Sequence, residues 1–263
     1  MTGREALAEA ERRLAAAGVE TPRVDAEWLV AHLLGTTRSG VRARLDDEVT
    51  GLEPLLARRE SREPLAYVLG EWGFHRLTLR TDARALVPRP ETEIVVERAL
   101  ALIAGVESPR VVDVGTGSGA IALAIKQERP DATVVATDVS SDAVALAREN
   151  ATHLELEIET VVTDLLEGLD GTFDLIVSNP PYVLPGETLP PELGYEPRAA
   201  LIDEGQTLAL IAAAREVLDG WLVLECHEER AAEVARACAG YADVAITRDL
   251  AGRERVVEAR WMP

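Results

Sequence analysis

The chain has 263 residues, enough for one large domain with a smaller companion and a substantial core. Its apolar fraction of 47% is that of an ordinary soluble enzyme, and no run approaches the roughly 20 apolar residues of a membrane helix. The formal charge of −19 is unevenly placed: residues 1–80 hold 12 Arg against 13 acids, so the deficit falls almost wholly on residues 81–263, which argues against a surface built for duplex phosphates.

The N-terminus is acidic and Ala-rich, unlike a signal peptide, and is expected to stay in the cytoplasm. Two cysteines, Cys226 and Cys238, make no disulfide framework, and His32, His75, His153 and His227 are scattered without metal-ligand spacing. Two thiols in a reducing compartment and no metal site are therefore expected. The single Lys126 against 26 Arg reflects coding bias and carries no functional weight.

In chain order, residues 1–70 show helical periodicity at Leu7 and Leu14, then Val24, Trp28, Val30, Leu33 and Leu34, then Leu52, Leu55 and Leu56. Gly18, Gly35 and Gly51 punctuate the runs, so three to five short helices are expected. Such a bundle commonly positions a macromolecular partner; the plainer alternative is shielding one edge of a sheet. Residues 71–87 contain the alternating stretch Phe74-His-Arg-Leu-Thr-Leu79, expected as one strand of a hairpin linker. Pro88 and Pro90 lead into a helix over 91–104 with acids in its first turn.

From 111 onward strands and helices alternate, as in a doubly wound sheet. Val111-Val-Asp-Val-Gly-Thr-Gly-Ser-Gly119 reads as a buried strand and a glycine-rich turn opening a helix. Glycines at alternate positions bring backbone amides close to a ligand, and Gly115-Thr-Gly-Ser-Gly-Ala120 fits the loose dinucleotide-binding pattern. Twenty-five residues past Asp113, Thr133-Val-Val-Ala-Thr-Asp138 ends a second strand in a carboxylate able to accept both hydroxyls of a ribose. Thr160-Val-Val-Thr-Asp164 ends a third strand in another, able to accept from an adenine amino group. A single strand-end Asp is more often a cap or turn residue, but an ordered series on one sheet edge marks where such sheets bind ligands.

The fourth strand, Asp174-Leu-Ile-Val-Ser178, runs into Asn179-Pro-Pro-Tyr182. Two prolines fix φ and remove two donors, leaving the Asn179 side-chain oxygen and a backbone carbonyl as acceptors beside an aromatic face. That cluster suits a planar NH2 group with two N–H bonds and a flat π-system. Helices are expected at 119–128, 141–151, 206–218 and 228–239, and a fifth strand at 221–225. Strands near 242–247 and 255–261, turning at Gly252, predict an antiparallel hairpin at the sheet edge.

Together Asp113-Val-Gly-Thr-Gly-Ser-Gly119, Asp138, Asp164 and Asn179-Pro-Pro-Tyr182 resemble S-adenosylmethionine-dependent methyltransferases acting on a planar nitrogen. Arg62-Glu-Pro-Leu-Ala-Tyr-Val-Leu-Gly-Glu71, Phe74, Val87-Pro-Arg-Pro-Glu-Thr-Glu93, Tyr195-Glu-Pro197, Ala200-Leu201 and Arg248-Asp-Leu-Ala-Gly-Arg-Glu-Arg255 closely resemble the release factor glutamine methyltransferases (the HemK/PrmC family). The resemblance implies an α/β class I methyltransferase fold, a Rossmann-like doubly wound sheet with an antiparallel C-terminal hairpin. It divides the chain into a helical substrate-recognition domain at 1–70, a β-hairpin linker at 71–87 and a catalytic domain at 88–263.

It implies methyl transfer from S-adenosyl-L-methionine, leaving S-adenosyl-L-homocysteine, to the N5 amide of the glutamine in the Gly-Gly-Gln motif of class I peptide-chain release factors. A monomer free of nucleic acid, membrane and metal is expected. Asn179, Pro180 and Tyr182 would be catalytic and, with Pro181, bind substrate. Gly115, Thr116, Gly117, Ser118, Gly119, Asp138, Asp164, Leu165 and Asn179 would bind the cofactor. Two departures stand out: Glu225-Cys226-His227 where the family often has Glu-x-Gly, and Leu165 where it often has an aromatic. An N6-adenine nucleic-acid methyltransferase shares Asn-Pro-Pro-Tyr but should carry a basic surface. A nicotinamide oxidoreductase would leave that loop without a task, and a silent cofactor-binding module would not need its intact acceptors.

Overall fold

A computed structural model describes residues 1–263, and the chain falls into two compact units. The first comprises Met1–Glu71 with Leu189–Tyr195. It holds α1 (Gly3–Ala16), α2 (Pro22–Leu34), α3 (Leu52–Glu60) and α4 (Leu65–Leu69), with a 3₁₀ turn at Gly40–Ala43. Thr2 and Glu5 form a reciprocal capping box at the start of α1, and Gly35 ends α2 in the left-handed conformation. Ala6, Leu7, Ala10 and Leu14 of α1 pack with Ala26, Leu29 and Val30 of α2, each buried. Arg59 is the polar centre of the unit: buried, it donates to Asp25 at 2.7 Å and to Glu192 at 3.0 Å. Burial alone would raise the Glu192 carboxyl, but the guanidiniums of Arg62 and Arg59 outweigh it and hold the group down to about 2.

The second unit comprises Trp72–Thr188 and Glu196–Pro263. The hairpin entering it has β1 (Glu71–Phe74) and β2 (Leu77–Arg80). The expected single strand over Phe74–Leu79 is corrected here: His75 and Arg76 form a two-residue turn, with His75 at φ 54°, so the alternating stretch contains the reversal itself. A 3₁₀ turn at Pro90–Thr92 precedes α5 (Glu93–Leu102).

The main sheet has β3 (Arg110–Val114), β4 (Thr133–Asp138), β5 (Glu159–Val162), β6 (Phe173–Ser178), β7 (Leu218–Glu225), β8 (Ala242–Arg248) and β9 (Glu254–Trp261). Its order is β5-β4-β3-β6-β7-β9-β8; the first five strands are parallel, and β9 runs antiparallel to both neighbours. The crossovers are made by α6 (Ala120–Glu128), α7 (Ser141–His153), α8 (Arg198–Leu201), α9 (Gln206–Val217) and α10 (Ala231–Ala237). This is the doubly wound sheet with an antiparallel C-terminal hairpin that the motifs imply.

Strand period two divides the core into two layers. Val111, Val134, Ala136, Leu175 and Val177 face α5 and α6. Their chain neighbours Val112, Val135 and Ile176 face α9 and α10. Each of the buried Val, Leu and Ile side chains among them contributes about 1.5–3 kcal/mol. Near-continuous apolar strands follow from burial on both faces, and polar residues are displaced to the strand ends.

Candidate active site

Those ends form the site. A cavity of about 280 Å³ opens at the carboxyl edge of β3, β4 and β6, where the strand order reverses. Its walls include Gly115, Thr116, Gly117 and Ser118 after β3, Asp138 at the end of β4, Asp164 and Leu165 after β5, and Asn179, Pro180 and Pro181 after β6. Residues spread over 67 positions of sequence thus meet in one space because parallel strands present their ends on one edge.

The loop after β3 is shaped by backbone bonds. The amides of Gly115 and Thr116 both donate to the Thr137 carbonyl at 2.9 Å, and the Gly117 amide donates to Asp138 Oδ2 at 3.0 Å. Gly115, Gly117 and Gly119 have φ of 71°, 56° and 85°. A Cβ at Gly115 would point into open space on the cavity side, so glycine there serves conformation and room for a ligand. Gly119 is different: it lies outside the cavity wall, and its added Cβ would sit 3.0 Å from Leu123 Cδ1 and 3.2 Å from Ala147 Cβ. Gly119→Ala is therefore expected to cost about 1–3 kcal/mol of folding stability, read from denaturant melts, through crowding and a left-handed φ.

Asp113 is buried, accepting from Thr116 Oγ1 at 2.6 Å and from the Ala122 amide at 3.1 Å. Burial pushes its carboxyl up to about 7, against the lowering effect of those two donors. Asp138 accepts from two backbone amides, Gly117 and Ser140, one on each oxygen, and burial raises it as well. It is thus a turn-forming residue and a cavity-wall acceptor at once; a carboxylate has about four lone-pair positions, and two remain for a ligand. Asp164 lies two residues beyond β5, exposed, with its side chain free of intramolecular hydrogen bonds at the cavity edge. Leu165 takes φ 50°, and its carbonyl accepts from Thr137 Oγ1 at 3.1 Å.

Asn179 follows β6 directly, and its Nδ2 donates to Thr92 Oγ1 at 3.2 Å. Its Oδ1 is left as an acceptor, in a residue that lines the cavity. Ser178 Oγ donates to the Val114 carbonyl at 2.7 Å, tying the end of β6 to the end of β3. Tyr182 is placed differently from expectation. Pro181 lines the cavity but Tyr182 does not, and its ring instead meets His227, centroids 6.3 Å apart and tilted by 41°. Burial pushes its hydroxyl up to about 12, so it stays protonated.

Several further residues support the site through distant partners. Glu196, with only 6% of its surface exposed, accepts from Arg89 Nη2 at 2.5 Å and the Val87 amide at 3.2 Å, fixing the Val87-Pro-Arg segment that lines the cavity. Asn150 of α7, fully buried, accepts from the Arg80 amide and donates to the carbonyls of Arg80 and Ser118, joining the hairpin to the glycine loop. A buried Asn on an otherwise apolar helix face was the available signal. Both cysteines are free and buried, and no group of His, Cys, Asp and Glu side chains could hold a metal ion.

Comparison with known proteins gives the site its setting. Residues 92–218 match the family model described as the methyltransferase small domain, and residues 5–70 match the PrmC N-terminal domain. The chain is 43% identical to the release factor glutamine methyltransferase of Deinococcus radiodurans over 98% of each chain. It is 39% identical to that of Mycolicibacterium smegmatis, over 97% of this chain and 96% of the relative. Among solved structures, the ribosomal protein L11 methylase of Lactobacillus delbrueckii superposes with a TM-score of 0.50 at 26% identity, over 67% of this chain and 81% of that one. With full-length identity of this order spanning both the helical unit and the sheet, the chain belongs to the release factor glutamine methyltransferase family.

Proposed function

We infer that this protein transfers a methyl group from S-adenosylmethionine to the side-chain amide nitrogen of the glutamine in the Gly-Gly-Gln motif of class I peptide-chain release factors. The observation that carries the reading is Asn179 on the cavity wall, its amide nitrogen already engaged by Thr92 and its oxygen left as an acceptor. The family relationship supplies the substrate.

The residues present suit the cofactor. Gly115 and Gly117 leave room for its methionine portion, Asp138 has acceptor positions to spare for the ribose, and Asp164 and Leu165 border the space for adenine. When bound, S-adenosylmethionine supplies an electrophilic methyl group on a sulfonium.

A carboxamide nitrogen is a poor nucleophile because its lone pair is delocalised into the carbonyl. Catalysis must then come from positioning and electrostatics. Asn179 Oδ1 and the Pro180 carbonyl accept the two amide N–H bonds and favour the positive charge that develops on the nitrogen. Pro180 and Pro181 make those acceptors rigid, so little reorganisation accompanies the reaction. Tyr182 acts from behind the loop, bracing it against His227. No general base is needed, because the methylated, charged amide nitrogen is acidic enough to release its proton unaided.

The helical unit is read as the part that recognises the release factor, and residues 88–263 as the catalytic part. The protein is read as a cytoplasmic monomer that uses no metal and needs neither nucleic acid nor a lipid surface; no helix is long and apolar enough to cross a membrane. The strong negative charge of the catalytic portion supports a protein substrate over duplex DNA. Incubation with methyl-labelled cofactor, a class I release factor and duplex DNA together is expected to label the protein alone. Label in the DNA would overturn the reading in favour of adenine methylation.

A further inference from the structure

Glu225 has no task in the account above, and its environment demands one. It is the last residue of β7, fully buried, and neither carboxylate oxygen meets hydrogen-bond geometry with any partner. Buried carboxylates without partners are costly, and where they persist they mark sites of function. The parallel register Ser178↔Leu224 places Glu225 beside Asn179, one residue further along both strands. The cation near it, Arg255, is directed elsewhere, to the Cys226 carbonyl and Asp249.

The neighbour that matters is Thr92, also buried. Burial pushes the Glu225 carboxyl up to about 7, and the adjacent Thr92 hydroxyl, followed by Arg255, draws it back down. The hydroxyl is near enough to lower the carboxyl while standing outside hydrogen-bond geometry with it, so a small shift of either side chain would be needed to join them. On its other side the same oxygen accepts from Asn179 Nδ2.

We propose that Thr92 and Glu225 are positioning residues that fix which end of the Asn179 amide faces the substrate. An Asn side chain presents a donor and an acceptor of nearly the same shape, and only the oxygen can accept a substrate N–H. A threonine hydroxyl alone does not choose, since it can accept from Nδ2 or donate to Oδ1. Above its raised titration point Glu225 is an ionised carboxylate, which accepts and never donates. It accepts a hydrogen bond from the Thr92 hydroxyl, leaves that oxygen's lone pairs for Nδ2, and so turns Oδ1 towards the substrate. With that contact made, the fully buried acid, the hydroxyl and the catalytic amide would form one directional chain from β7 through the turn before α5 to the end of β6.

This inference rests on the methyl-transfer reading, and kinetics separates the two. Thr92→Val keeps the shape and deletes the hydroxyl; kcat is expected to fall roughly 10- to 100-fold, because reactive geometry is lost. The release factor KM and the cofactor Kd from calorimetry should stay within about threefold, and Thr92→Ser should recover most of the rate. Glu225→Gln can donate as well as accept, so a smaller fall in kcat is expected. Combining it with Thr92→Val should cost no more than Thr92→Val alone, since both break one chain.

An inactive wild-type protein would overturn the functional reading and this inference with it. An active wild type whose Thr92→Val variant keeps kcat within about twofold, or additive losses in the double variant, would overturn this inference alone. Should Thr92→Val fail to fold, an unchanged kcat in Glu225→Gln would do the same.

Discussion

Asn179→Ala is expected to reduce methyl transfer by roughly 10³-fold, about 4 kcal/mol of transition-state stabilisation, with cofactor affinity within a few-fold of wild type. The size follows from what the side chain does. Its oxygen is a preorganised acceptor on a loop stiffened by Pro180 and Pro181, and it meets charge that develops only as the nitrogen reacts. Removing it costs little in the ground state and most of its worth in the transition state. The cofactor should notice less, because Gly117, Asp138 and Asp164 bound the cavity independently of the Asn179 side chain. Steady-state kinetics with the release factor, beside calorimetry with the cofactor, checks both halves. Equal loss in rate and in cofactor binding would remove Asn179 from the reacting centre.

Asp138→Ala should show the reverse order of effects. Cofactor affinity is expected to weaken by about 1–3 kcal/mol, roughly 5- to 150-fold in Kd, as a charged acceptor is lost. Two contributions lie behind that figure. One is the pair of lone-pair positions left for ribose hydroxyls. The other is the shape of the glycine loop, since the same carboxylate receives the Gly117 and Ser140 amides. Asp138→Asn separates them: it keeps one neutral acceptor and the size of the side chain, and should fall between wild type and Ala. Calorimetric titration measures each step, and turnover at saturating cofactor should recover much of the wild-type rate.

The catalytic edge was legible because its logic is local. A buried strand followed by Gly115, Asp138, Asp164 or Asn179 carries both parts of the message, apolar residues to set the strand and one polar group to end it. The Asn-Pro-Pro run fixed where acceptors must lie, for prolines leave the backbone few choices. The direction of the Tyr182 ring was not legible, because it depends on His227, 45 residues downstream, in the very segment where the chain departs from the Glu-x-Gly pattern. Thr92 and Glu196 stand in stretches that resemble the family, but their partners were not legible for a similar reason. Each acts on a partner 87 or more residues away, and nothing in Pro-Glu-Thr or Tyr-Glu-Pro states which carbonyl, amide or guanidinium it will meet.

The Phe74–Leu79 stretch failed differently: its alternation breaks at His75-Arg76, where the turn lies, but neither residue is the glycine or asparagine that usually announces one. The grouping of Leu189–Tyr195 with the N-terminal helices rests on Glu192 meeting Arg59 and Arg62 and on Tyr195 Oη donating to the Ser61 carbonyl. Pairs more than 120 residues apart leave no periodic trace.

The central claim is that a glutamine amide, held by Asn179, receives the methyl group. Peptide mass spectrometry of a purified class I release factor, after incubation with this protein and S-adenosylmethionine, tests it most directly. The account predicts a gain of one CH2 on the glutamine of the Gly-Gly-Gln peptide, absent with Asn179→Ala. An unmodified glutamine after prolonged incubation with the wild-type protein, or the same gain with Asn179→Ala, would contradict it.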